Sequence, residues 1–307
     1  MKGIKYVLMT MVTAVLVSCG TTNTVPITGR KQNLMVSDGE VLSLSTQQYQ
    51  EFMKTAKLST NQVNTAMVKR VGQNLATAVN SYLAQNGMSN DLQYYNWTFN
   101  LVQDNQVNAW CMPGGLTCVY DGLLPVTQNE ASLAIVLGHE IAHAVARHSA
   151  EQMSTQMKQQ YGIQLGSMVA GALGMGTNTQ SIVQAIVAQG FNFKNLKFSR
   201  DHENEADHMG LIFAAMAGYD PKVATDFWKR MAAQSNNQTA EFLSDHPSDA
   251  TRINNIQGWM PEALKYYKPK TTTVSTTKAT TTKKTTTTKA TTTKKTTTKK
   301  ATTTKKK

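Results

Sequence analysis

Several scarcities bound this 307-residue chain. Cysteine occurs three times, too few for a disulfide scaffold. Aromatics make up 7% of the residues and methionine occurs 16 times, which still suits a globular helical protein. Between Cys19 and Tyr267 no apolar run approaches the ~20 residues a spanning helix needs. Acidic residues are absent from Lys268 to Lys307, which carry 13 lysines, and from Met1 to Ser18, which carry Lys2 and Lys5. The positive excess behind the formal charge of +12 therefore sits at the two ends, and 16 basic residues face all 19 acids in between. A basic folded domain is disfavoured, and a polar tail on a slightly acidic body describes the chain better.

Lys2 and Lys5 precede an apolar stretch, Tyr6 to Val17, in the layout of a secretory signal. It ends at Leu16-Val17-Ser18-Cys19-Gly20, which resembles a bacterial lipobox, so residues 1–18 are expected to be removed and Cys19 lipidated. An ordinary signal with a chance cysteine, or an uncleaved anchor, is the plainer alternative. Residues 19–33 are polar and expected to act as a tether, 34–267 as the catalytic domain, and 268–307 as a disordered Lys/Thr-rich tail. Such a chain is exported and held at a bacterial membrane, the expectation being the outer membrane facing the periplasm. The tail then faces anionic envelope polymers or lipids, or serves as a solubilising stalk. Export argues against nucleic acid as a partner.

Cys111 and Cys118 flank Met112-Pro113-Gly114-Gly115, a strong turn signal. Two readings stay open, a disulfide across the hairpin or two buried free thiols. Apolar spacing predicts helices over Ser37 to Lys54 and Asn61 to Leu83, the second with Val63, Met67, Val71, Leu75 and Val79 on one face. Alternation predicts a strand at Trp97 to Val102 and a strand–turn–strand at Val107 to Tyr120. Thr127 to Glu130 reads as a capping box opening a helix to about Met153. Gly162 to Gly190 is apolar and glycine-interrupted, a helical pair, a cover or a lipid-touching surface. Further helices are expected at Asp201 to Ala217, from Asp220-Pro221, and from Ser248 to Gln257. The fold class is α+β, mostly α, with a small sheet.

The helix predicted to open at the Thr127 to Glu130 capping box contains His139-Glu140-Ile141-Ala142-His143. Residues four apart share a helical face, so both imidazoles can meet one metal ion while Glu140 reaches toward its water. Catalytic zinc wants three protein ligands and one open position. The metzincin continuation fails, because Ala146 stands in the glycine place and Ser149 in the histidine place. The remaining candidate is Glu203-Asn204-Glu205-Ala206-Asp207, with Glu203 on the metal, Asp207 behind a ligand histidine, and Glu205 pointing elsewhere.

These residues resemble the zinc metallopeptidase family of HtpX, the CAAX prenyl proteases, BepA and LoiP (peptidase family M forty-eight). The resemblance rests on Thr28-Gly29-Arg30-Lys31-Gln32, Asn108-Ala109 through Gly114-Gly115, His139 to Ser149, Ser199-Arg200 with Glu203 to Asp207 and Gly210, and His246-Pro247 with Arg252-Ile253. It implies a gluzincin-like metallopeptidase domain with the sheet beside the H-E-x-x-H helix, and one zinc ion on His139, His143 and Glu203. It further implies Glu140 as general base to a zinc-activated water, and an edge strand at Asn108, Ala109, Gly114 and Gly115 that pairs with extended polypeptide substrates. In BepA-like relatives the histidine matching His246 can occupy the fourth zinc position and hold the enzyme latent, the alternative being a structural His-Pro turn. Arg200 or Arg252 stabilises the oxyanion, braces Asp207, or forms a structural ion pair. His148 and His202 read as helix-surface or second-layer residues, and His208 has no assigned role. The chain resembles the exported lipoprotein branch, lacking the membrane spans of some members and the helical repeats of BepA. The expected function is an anchored endopeptidase for misfolded envelope proteins. The competing reading is a chaperone or assembly factor that binds extended chains and cuts little.

Overall fold

A computed structural model describes residues 21–168, 179–234, 241–246 and 251–269. Within them the chain is mostly helical, with one two-stranded and one three-stranded sheet. The lipobox around Cys19, residues 169–178 of the glycine-interrupted stretch, Ser248 and the tail from Lys270 lie outside the described residues.

The expected tether is, from Thr21 onward, a folded hairpin. Strands β1 (Thr21–Thr24) and β2 (Lys31–Leu34) pair antiparallel, with Thr21 opposite Leu34. Val25, Gln32 and Leu34 are buried, so this polar stretch carries enough inward-facing side chains to dock.

Helix α1 (Asp38–Thr55) opens with a capping box in which Ser37 and Glu40 satisfy each other's backbone N–H groups. Helix α2 (Gln62–Gln85) is capped by Asn61 and buries Val68, Val71, Leu75, Val79 and Leu83. Val63, expected on that face, is 79% exposed, because the buried stripe begins a turn later.

The second sheet contains β3 (Thr98–Val102), β4 (Ala109–Met112) and β5 (Leu116–Tyr120) in the order β3-β5-β4. β3 runs parallel to β5, while β4 is antiparallel to it and forms an edge. The turn uses left-handed glycines, Gly114 at φ 90° and Gly115 at φ 81°. The ladder decides the cysteine question. Cys111 lies opposite Thr117, and Cys118 opposite Trp110. This one-residue offset sends the two side chains to opposite faces of the pleat. The expected disulfide is therefore absent, and both thiols are free and buried in separate clusters. Burial pushes the Cys111 thiol up to about 12.

A short helix α3 (Leu124–Thr127) precedes α4 (Glu130–Val145), so Thr127 closes one helix and Asn129 caps the next through the Ser132 N–H. The helix expected to reach Met153 is interrupted. Arg147 adopts φ 56°, a left-handed conformation that an α-helix cannot continue through, and α5 (His148–Met168) starts in a new direction. The Arg147 side chain is held by Asp38 at 2.8 Å and Asp91 at 3.2 Å. Then follow α6 (Thr179–Ala188), α7 (Arg200–Met216, capped by Ser199), α8 (Val223–Ala232), α9 (Glu241–Asp245) and α10 (Arg252–Tyr266). α8 begins two residues beyond Pro221, since Asp220 instead accepts the Lys222 N–H in a turn. α10 runs past Gln257 and carries Pro261 within it.

Helices α4 and α7 form the centre of the core. A Cβ on Gly138 would stand 2.6 Å from the Gly210 carbonyl oxygen, and one on Gly210 would stand 2.6 Å from the His139 nitrogen. The two helices therefore touch backbone to backbone, one carrying both histidines and the other Glu203. Among the described residues no helix is long and apolar enough to cross a membrane.

Candidate metal centre

His139 and His143 project from the same face of α4, and Glu203 meets them from the first turn of α7. The two Nε2 atoms are 3.1 Å apart, and each lies 3.4 Å from a Glu203 carboxylate oxygen. His246, just after α9, adds Nδ1 at 3.3 Å from His139 Nε2 and 3.0 Å from Glu203 Oε1. One atom from each of these four buried residues lies within 4.8 Å of all the others.

These spacings fit a tetrahedral metal. Arms of about 2.0–2.1 Å give edges of about 3.3 Å. The charge also fits. Glu203 and Asp207 are buried against one guanidinium, that of Arg252, and Glu140 is buried on α4 beside His246. Excess buried negative charge is costly unless a cation sits among it. Burial works against charge on His139, yet Asp207 and Glu203 outweigh it and bring the group to about 9. The carboxylates thus draw positive charge to the point where a metal ion would stand. Burial resists ionisation of Glu203, but His246, His139 and His143 hold its carboxyl well below the usual range.

Asp207 and Arg252 brace this group. Asp207 Oδ1 is 2.9 Å from His139 Nδ1, and its other oxygen accepts the Arg252 Nε–H at 2.6 Å. Arg252 also donates to Glu203 at 3.0 Å and stacks 3.9 Å over the Trp228 ring. Of the two arginine candidates, Arg252 is therefore the brace, while Arg200 is exposed at the first residue of α7.

Glu140 points from α4 toward β4. Burial raises its carboxyl above the ordinary value, and the backbone N–H of Cys111 donates to it. Its Oε1 accepts no hydrogen bond and lies 3.6 Å from His246 Nε2. Tyr120 donates to the Asn108 carbonyl, which directs the even-numbered residues of β4 toward β5. The backbone of Ala109 and Cys111 consequently faces the opposite edge, toward Glu140. Gly114 and Gly115 form the turn at the end of this strand rather than the strand itself.

Three further contacts lie around His143 and its neighbour His148, the latter taking the second of its two expected places. Phe198 stacks on its ring at 4.0 Å. His148 Nδ1 lies 2.9 Å from His143 Nδ1, brought there by the break at Arg147. Glu205 stands outside the metal donor set, as expected, but is buried, paired with Arg30 and 3.0 Å from His148 Nε2. The left-handed Arg147 leaves no sequence signal, whereas the doubled glutamate of Glu203-Asn204-Glu205 was a visible hint.

Comparison with known proteins agrees with this geometry. The profile of Peptidase family M48 matches residues 63–260. The chain is similar to "Mitochondrial metalloendopeptidase OMA1" of Schizosaccharomyces pombe, 37% identical over 184 residues, 59% of this chain and 50% of that protein. It is similar to "Metalloendopeptidase OMA1, mitochondrial" of Homo sapiens, 29% identical over 246 residues, 78% of this chain and 46% of that protein. It is also similar to the "Beta-barrel assembly-enhancing protease" of Yersinia pestis, 30% identical over 172 residues, 52% of this chain and 33% of that protein. The chain spans half or less of the length of these relatives. The matched segment contains both helices that carry the candidate ligands, and His246, and the chain belongs to peptidase family M48.

Proposed function

We propose that this chain is a zinc metalloendopeptidase that hydrolyses peptide bonds of extended polypeptides. The observation that carries the reading is the orphaned Oε1 of Glu140 beside the four-residue donor set. His139, His143 and Glu203 would hold the ion. Zinc, when bound, supplies a Lewis acid that polarises a carbonyl and acidifies water. Glu140 accepts the proton of the attacking water and returns it to the leaving amine. The outward backbone groups of β4 align the substrate as an added strand. Asp207 holds the proton on His139 Nδ1, keeping Nε2 available as a ligand.

The location and substrates belong to the same proposal. The lipobox-like Cys19 and the likeness to a bacterial assembly-enhancing protease support lipid anchoring at a bacterial membrane, with misfolded envelope proteins as substrates. The OMA1 relatives are named as mitochondrial, which describes those proteins. The Lys-rich tail would contact anionic envelope polymers or lipids. His246 near the metal donors, with Phe242 buried beside His139, supports a latent resting state.

The test compares purified wild type, Glu140→Gln and His143→Ala for metal content and cleavage of an unfolded protein. Glu140→Gln should keep zinc and lose about 10²–10⁴-fold in rate. His143→Ala should lose both. Activity surviving Glu140→Gln would refute the assignment. Comparative proteomics of cells carrying the Glu140→Gln trap would then name the substrates.

A further inference from the structure

Around the metal ligands lies a polar chain that leads to the N-terminal hairpin, buried at His148 and Glu205 and partly exposed at Glu151 and Arg30. His148 is fully buried, with one ring nitrogen 2.9 Å from His143 Nδ1 and the other 3.0 Å from Glu205 Oε2. Glu205 accepts the Arg30 Nε–H at 2.8 Å on that oxygen and the Thr28 hydroxyl at 2.5 Å on the other. Arg30 forks onto Glu151 with two bonds of 2.8 Å, and Glu151 lies 3.3 Å from His202, whose ring stacks on His148 at 4.2 Å. Gln32 of β2 donates to the Ala146 carbonyl at 2.9 Å, at the end of α4.

We infer that the hairpin β1–β2 is a positioning element of the metal centre: Arg30 and Thr28 hold Glu205, Glu205 orients His148, and His148 fixes the outer nitrogen of His143. This rests on the reading that His139, His143 and Glu203 hold zinc.

Proton placement gives the chain its direction. Ionised Glu205 offers only acceptors, so His148 must carry its proton on Nε2. Its Nδ1 is then a lone pair, which accepts the Nδ1–H of His143. His143 in turn has its lone pair on Nε2, the atom that faces His139 and Glu203. The opposite tautomers would set two lone pairs against each other at Glu205 and place a proton on the ligating atom. Asp207 sets the His139 tautomer directly. For His143 the same task passes through His148 to a carboxylate that a separate part of the chain clamps. The clamp sits 175 residues from Glu205 in sequence, so local helix structure does not provide it.

The experiment uses the full chain with Arg30→Ala, Glu205→Ala, Glu205→Gln and Lys31→Ala. Zinc affinity is read by competition with a chromophoric chelator, and ligand geometry by the cobalt(II) absorption spectrum. Circular dichroism confirms folding. Arg30→Ala should weaken zinc binding about 10-fold and Glu205→Ala about 10–100-fold, with altered cobalt spectra. Glu205→Gln should recover part of the affinity, since its amide oxygen still accepts from His148. Lys31→Ala, exposed on the same hairpin and bonded to Thr24, should match wild type. A hairpin that only stabilises the fold would lower the melting temperature and leave affinity and spectrum unchanged, and that result overturns the inference. Arg30→Lys replaces Arg30→Ala if the latter does not fold, with the same expected and overturning results. Zinc absent from wild type would defeat the metal reading and this inference with it. Zinc bound equally by wild type and the Arg30 and Glu205 variants would defeat this inference alone.

Discussion

Asp207 Oδ1 lies 2.9 Å from His139 Nδ1 across the contact between α4 and α7, and the other Asp207 oxygen takes the Arg252 guanidinium at 2.6 Å. The carboxylate is thereby shared between a metal ligand and the cation that also touches Glu203. Asp207→Asn should lower zinc affinity about 10–100-fold, because an amide cannot accept from both partners on two oxygens. Chelator competition measures it, and an unchanged affinity would remove Asp207 from the centre.

The crossing of the two ligand-bearing helices depends on Gly210. Its missing Cβ would meet the His139 backbone nitrogen at 2.6 Å, which no side-chain rotation relieves. Gly210→Ala should destabilise the protein by about 1–3 kcal/mol and reduce zinc binding together with stability. Gly39→Ala, with nothing within 4 Å of its Cβ, is the control and should be neutral or slightly stabilising. Chemical denaturation of both variants checks the contrast.

His246 stands where a fourth ligand would stand, 3.3 Å from His139 Nε2, and Phe242 just before it donates its N–H to the Val107 carbonyl leading into β4. His246→Ala should raise hydrolysis of an unfolded substrate several-fold while one zinc remains bound. Unchanged activity would leave His246 a structural residue.

Glu151 reports on the hairpin through pH. Burial opposes its ionisation, but His202 and Arg30 hold the carboxyl well below its ordinary value of 4.5. A depressed carboxyl adds stability above the unfolded value and loses it as pH falls through the folded one. Glu151→Gln should therefore be less stable than wild type at pH 7 by about 1–2 kcal/mol. The gap should close as pH drops below about 4.5. A gap that stays constant into acid would show that the charge contributes nothing.

Much of this arrangement was legible in one dimension because it is local. His139 and His143 share one helical face by periodicity alone, with Glu140 about 100° around the helix, and Ser37 and Asn61 marked helix starts that the structure keeps. The cysteine pairing was not legible. A turn signal brings Cys111 and Cys118 near each other, but only the register of β4 on β5 puts them on opposite faces. The polar stretch Thr21–Leu34 gave little sign of a docked hairpin, since its partners Glu151 and Glu205 are far along the chain.

The amino-acid sequence by itself determined the catalytic inventory: two histidines and a glutamate at helical spacing, a second acidic cluster, and a positive excess confined to the ends. Periodicity and capping act over a few residues, so they can be read without a fold. Only the tertiary structure decided which acids face the site. Gly138 against Gly210 sets how closely the helices approach, and the left-handed Arg147 turns His148 inward to meet His143. Those outcomes depend on backbone contact and on charges satisfied across long sequence distances, which no local pattern encodes.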